Sequence, residues 1–220
     1  MRGRGQDGRV AVPLWRPLPP EAVPEEVAEL IQRRRPDHPL RVAMDGAEPW
    51  EVELLTRLTG RWIAAAGRHA IRVQSRFFLR PRSLRYESGR TDPDSYYDWL
   101  DTDALRREVL DPLGLDGAGR FLPTLWDPAT DRATRADYAE APADAVVLVD
   151  GPLLLGRGLP FDLTVHVSVG SAALARRTPA DEHWTLPAFL RYQEEVDPAG
   201  IADIVIRTDD QQHPALLSRL

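Results

Sequence analysis

Five short apolar runs recur along the chain: "LRVAM" (residues 40–44), "HAIRV" (69–73), "DAVVLVDG" (144–151), "FDLTVHVSV" (161–169) and "ADIVIRT" (202–208). Each is too short for a buried helix and rich in β-branched residues, so each reads as a strand. Helical patterns separate them. "PEEVAELIQRRR" (24–35) starts with acids after a proline and ends in arginines, as the helix dipole favours. "PWEVELLTRLTGRWIAAAG" (49–67) is amphipathic, with Trp50, Leu54, Leu55, Leu58 and Trp62 as its expected apolar side. "DTDALRREVL" (101–110), "SAALARR" (171–177) and "LPAFLRYQEEV" (186–196) complete the set, and Asp101 or Thr102 caps the first of these. Strands that alternate with helices specify a parallel sheet covered on both faces. Between residues 77 and 98 the Arg, Pro and Gly content predicts a long loop, and "GRFLPTLWDPATDR" predicts two short strands about a Pro-Ala turn.

The first strand ends in Asp45 and Gly46, and a helix follows. This layout suits a phosphate-binding loop, whose pattern is G-x-x-x-x-G-K-[ST]. Counted from Gly46, the final glycine, lysine and hydroxyl positions hold Glu51, Val52 and Glu53. Pro49 lacks an N–H and suits the first helical position, and Glu48 and Glu51 compensate the dipole there. A carboxylate about 5 Å from a phosphate charge costs roughly 3 kcal/mol at an effective dielectric of about 20. With Glu48, Glu51 and Glu53 together, a nucleoside triphosphate is not expected in the usual pose.

Composition narrows the chemistry. All 28 basic residues are arginine, so Schiff-base lysines and a phosphate-loop lysine are excluded; no cysteine is present, which removes disulfides and thiolate chemistry. The wealth of Arg, Ala and Pro is what a GC-rich genome favours. A net charge of −6 argues against a nucleic-acid partner, and no apolar run is long enough for a membrane span. Without an apolar leader at its start, the protein is expected in the cytoplasm. Histidines 38, 69, 166, 183 and 213 lack metal-ligand spacing; His166 reads as a hydrogen-bonded strand-face residue and "DEHW" (181–184) as a solvated turn. The oligomeric state is not legible.

In order and spacing, the chain resembles the uridine kinase-like proteins of actinobacterial type among the P-loop nucleoside kinases. The likeness runs through "PLRVAMDG", "FLRPRSLRYESGRTDPDSYYDWLDTDALRREVLDPLG", "FLPTLWDPATDR", "APADAVVLVDGPLLL", "PFDLTVHVSV" and "EEVDPAGIADIVI". It implies an α/β three-layer fold, with a five-stranded parallel sheet flanked by helices and a shortened lid at about 177–186. It further implies a kinase-like domain over 40–220, against which an irregular segment and helix of residues 1–39 pack.

The resemblance fails at the chemistry. Only Asp45 and Gly46 of the phosphate loop match. Arg76 and Phe77 stand where the family has an acidic pair that includes the base toward the sugar hydroxyl, and Leu79 replaces a histidine. Asp150, a strand-end carboxylate that the family would use for magnesium, is retained. So are Arg80, Arg82, Arg85, Tyr96, Tyr97, Arg176 and Arg177, candidates for a substrate pocket. The leading expectation is a pseudo-kinase with no cofactor that binds a nucleoside-like small molecule or a protein partner. Two alternatives stand beside it. One is an atypical phosphotransferase using ATP, Asp150-bound magnesium and Arg76. The other is a structural subunit paired with an active relative.

Overall fold

The computed structural model describes residues 14–220; the rest of the N-terminal segment lies outside the described residues. In chain order, β1 (Arg16–Pro17) and α1 (Val23–Gln32) lead into β2 (Leu40–Gly46), α2 (Pro49–Ala65) and β3 (Ala70–Gln74). The helix α1 stops at Gln32, so the arginines expected in its last turn fall just beyond it. Short helices α3 (Arg82–Arg85), α4 (Pro93–Tyr97) and α5 (Thr102–Leu105) follow, and a π-helical turn, Arg106–Leu110, extends the last. Four two-residue strands come next: β4 (Arg120–Phe121), β5 (Trp126–Asp127), β6 (Arg132–Ala133) and β7 (Ala139–Glu140). The chain closes with β8 (Val146–Gly151), β9 (Leu163–Ser168), α6 (Ser171–Arg177), α7 (Leu186–Val196), α8 (Pro198–Ile201), β10 (Ile204–Arg207) and β11 (Ala215–Ser218).

The main sheet has the order β1-β11-β10-β9-β2-β8-β3. Its five strands from β10 to β3 are parallel. The two strands β11 and β1 add an antiparallel edge that the sequence did not suggest. Alternation along each strand feeds two cores. Val42, Met44, Val146, Leu148 and Val165 meet α1 and α2 on one face. Ala43, Val147, Val149 and Val205 meet Phe78, Leu105, Val109 and Phe189 on the other.

Two readings need correction. Residues 77–98 are not one long loop: a 3-10 turn (Ser75–Phe78), α3 and α4 lie in or across that stretch. The buried face of α2 is Val52, Leu55, Thr56, Thr59 and Ile63, whereas Trp50, Leu54 and Trp62 are exposed. Four of the five buried residues, Val52, Thr56, Thr59 and Ile63, are β-branched. The expected Pro-Ala hairpin is present as β5 and β6.

Candidate functional site

Register brings the carboxyl ends of three strands together. Asp150 ends β8 beside Met44 of β2 and Gln74 of β3. Open parallel sheets place ligands at these ends.

The turn between β2 and α2 is packed with the chain's own groups. After Gly46 only Ala47 and Glu48 precede α2, and Pro49 is its first residue. Val52 is 1% exposed. It lies so near Gly46 that a Cβ there would come within 2.7 Å of its Cγ2 and 3.0 Å of Val167. The glycine is needed for this close packing. Glu48 forms an ion pair with Arg177 Nη1 at 2.8 Å, and Arg177 Nη2 donates to the carbonyls of Thr208 (2.6 Å) and Asp209 (2.8 Å). Glu51 accepts from the Thr208 hydroxyl at 3.3 Å. Burial, and then the neighbouring Glu48, push the Glu51 carboxyl up to about 7. The positive charge nearest the helix start is thus held by a carboxylate of the same chain.

Asp45 does not face the loop either. It is fully buried and accepts from Leu154 N (2.8 Å) and Tyr192 OH (3.2 Å), with His166 Nδ1 at 2.7 Å. Tyr192 OH also accepts from Leu155 N at 2.9 Å. Burial, and then Asp45, raise the Tyr192 phenol above its ordinary value. This network ties β2 and β9 to α7 and to the loop after β8, and it gives His166 the hydrogen bond expected of it.

Asp150 is gripped by Arg72, a residue the sequence reading passed over. Arg72 Nη2 and Nε donate to Asp150 Oδ2 at 2.5 and 3.0 Å, and Nη1 donates to Glu53 at 3.2 Å. Burial raises the Asp150 carboxyl, and Arg72 opposes that rise. Bonds to both carboxylates hold the Arg72 guanidinium above its ordinary value against burial. The available signal was the arginine itself, which sits inside a strand of a covered sheet and therefore needs a carboxylate partner. Both Arg72 bonds go to Oδ2, and Oδ1 of Asp150 is buried without a hydrogen-bond partner, so a cation at this carboxylate would have one oxygen to bind and the guanidinium charge beside it to overcome. Among the described residues no three His, Asp or Glu side chains cluster as metal ligands.

Beside this triad opens a cavity of about 350 Å³. Its walls are mainly aromatic and aliphatic, with Trp50, Tyr96, Tyr97, Trp99 and Leu79; Arg72, Gln74, Ser75, Arg76 and Asp150 supply polarity. Tyr96 stacks edge-on with Trp99 at 5.0 Å and with Trp184 at 5.4 Å, so the short turn before α7 props the wall. Burial raises the Tyr96 phenol.

The other candidates scatter. Arg76 is exposed, 4.9 Å over the Phe77 ring, at the cavity edge. Arg82 donates to the carbonyls of Pro128 (3.2 Å) and Ala129 (2.9 Å). Arg85 is buried, donates to Arg80 O at 2.7 Å and stacks on Trp99 at 5.0 Å. Arg82 and Arg85 thus brace α3. Arg80 and Arg176 are exposed, and neither they nor Arg82, Arg85 and Arg177 line the cavity.

No family model matches the chain, and no curated protein matches it in sequence. Solved structures do match in fold. A possible uridine kinase from Bacillus stearothermophilus superposes with TM-score 0.67 at 16% identity, over 83% of this chain and 96% of that one. A proposed fructose transport system kinase from Silicibacter sp. gives 0.55 at 23% identity, over 80% and 89%. A D-glycerate 3-kinase from Cryptococcus neoformans gives 0.53 at 16%, over 79% and 80%. The fold is that of the P-loop kinases.

Proposed function

We propose that this chain is a pseudo-kinase: a uridine kinase-like protein that has lost phosphoryl transfer and keeps a pocket for a small, phosphate-free molecule. One observation carries the reading. The Glu48–Arg177 ion pair and the buried Val52 occupy the ground where a phosphate loop would offer free N–H groups and a cation. The Arg72 grip on Asp150 Oδ2 supports it, since a guanidinium there opposes a second cation at that carboxylate. The pocket's aromatic walls suit a planar, nucleoside-like ligand, because stacking is worth about 1–3 kcal/mol per base. A cytoplasmic location goes with this role, and no helix among the described residues is long and apolar enough to cross a membrane.

The test is labelled-phosphate transfer from ATP with magnesium to a panel of nucleosides and small sugars, with thermal shifts measured on the same panel. We expect no transfer, and a stabilising shift from some unphosphorylated compound but not from its phosphate ester. Transfer that Asp150→Ala abolishes would make the protein an active phosphotransferase. No shift from any compound would leave the fold without the pocket role.

A further inference from the structure

Helix α2 carries two apolar faces, and the domain buries one. Trp50 remains 85% exposed, Leu54 46% and Trp62 44%, with Leu58 half-buried between them. These residues are spaced four apart, so they form one oblique stripe. The buried face meanwhile includes two threonines, Thr56 and Thr59. Among the described residues, then, threonines are covered while two tryptophans stay in water, which leaves this apolar stripe without a partner. Beside Leu54 and Leu58, the middle of the stripe, lies a groove of about 160 Å³ that Pro20, Val23 and Pro24 also line.

We infer that this stripe is the contact between two copies of the chain, related by a two-fold axis that sets their α2 helices antiparallel. The order of residues argues for a second copy. Trp50, Leu54, Leu58 and Trp62 read the same in both directions. Reversal therefore sets Trp50 against Trp62 of the second copy, and Leu54 against Leu58, as an isologous contact requires. Charge argues for it too. The adjacent line of Glu53, Arg57 and Arg61 runs from acid to base along the helix. Reversal brings Glu53 near Arg61 of the second copy at both ends.

Arg57 and Arg61 are exposed and, among the described residues, make no ion pair. Glu53 keeps Arg72 at 3.2 Å, yet its side chain is 36% exposed and open to a second partner. The two copies of Arg57 meet near the axis, a repulsion that salt screens. Trp50 and Glu53 also line the cavity, so the contact adjoins it, whereas Leu54, Arg57 and Trp62, where the contact is tested, do not line it.

The chain has no cysteine, so Arg57→Cys places one thiol next to the axis. Sedimentation of the full-length protein should show a dimer at micromolar concentration. Leu54→Glu and Trp62→Glu should each weaken association by about 30-fold or more, the size of an interface hot spot, while circular dichroism shows an unchanged fold. Mild oxidation should link Arg57→Cys to itself and leave Arg106→Cys, on an exposed site elsewhere, unlinked. A wild type that stays monomeric up to millimolar concentration overturns the inference. So does a dimer that both glutamates leave intact. If the wild type is monomeric and deletion of residues 1–13 makes it dimerise, the occupant is the chain's own N-terminal segment and the inference fails.

Discussion

Arg72 holds two acids at once. Its guanidinium is the only cation bonded to Asp150 among the described residues, and Asp150 is 5% exposed. Removing one partner of a buried pair leaves an uncompensated charge, which typically costs 3–5 kcal/mol. Arg72→Ala should therefore lower unfolding free energy by about 3 kcal/mol in urea titration. A loss near zero would mean the pair does not form in solution. Glu51 offers a second test at this scale. Its carboxyl is held at about 7, above its ordinary 4.5, chiefly by burial. The folded protein then binds more protons at this site than the unfolded chain between those values, so this group's contribution to stability falls as pH rises from about 4.5 to about 7. The surrounding charges are Glu48 and Arg177. Glu51→Gln should flatten that part of the pH profile and raise Tm above pH 7, with little effect below pH 4.5. Parallel profiles for the two proteins would contradict this. The carboxylates of the site, Asp150 included, were legible in the sequence. Their neutralisation was not, because Arg72 and Arg177 reach them from other elements.

The parallel strands are legible in the sequence: β8 and β10 are near-continuous apolar runs, as strands covered on both faces are, and valine and isoleucine mark β2, β3 and β9. Strand β11, which lies between β1 and β10, is not legible in the same way: its apolar stretch is only Ala215–Leu217, too short to mark a strand by itself. The helix α4 left a signal that went unused, for Asp92 caps it by accepting from Ser95 N at 3.1 Å and Pro93 is its first residue. Helix α2 shows where periodicity misleads. Two faces of the helix carry apolar residues, and the heavier one was assigned to the core. The protein buries the β-branched one instead, and with it Val52. That placement bears on any attempt to rebuild the phosphate loop. Val52→Lys puts an ammonium under Gly46 rather than into the loop. It should destabilise the fold by about 3 kcal/mol or more, as an unpaired buried charge does. It should also bring no nucleotide affinity, even beside Glu51→Gly and Glu53→Thr. A triple variant that folds as stably as wild type and binds ATP in calorimetry would show that α2 can turn its other face to the sheet.

For the whole molecule, the fold is that of the P-loop kinases, and the proposed reading is that its anion-binding end is filled. The sheet, the strand-end Asp150 and the aromatic cavity are assembled as they would be for a ligand. At the head of α2, Glu48, Glu51 and Arg177 satisfy one another. The most direct test of this account is titration of ATP with magnesium into the full-length protein, followed by calorimetry and by melting temperature. A ligand at 100 times its dissociation constant adds about 2.7 kcal/mol to stability, which shifts a domain of this size by about 5 °C or more. The account expects no binding heat and no shift beyond about 1 °C at millimolar nucleotide. Saturable one-to-one binding, with a shift of several degrees that Glu48→Gln strengthens, would contradict it.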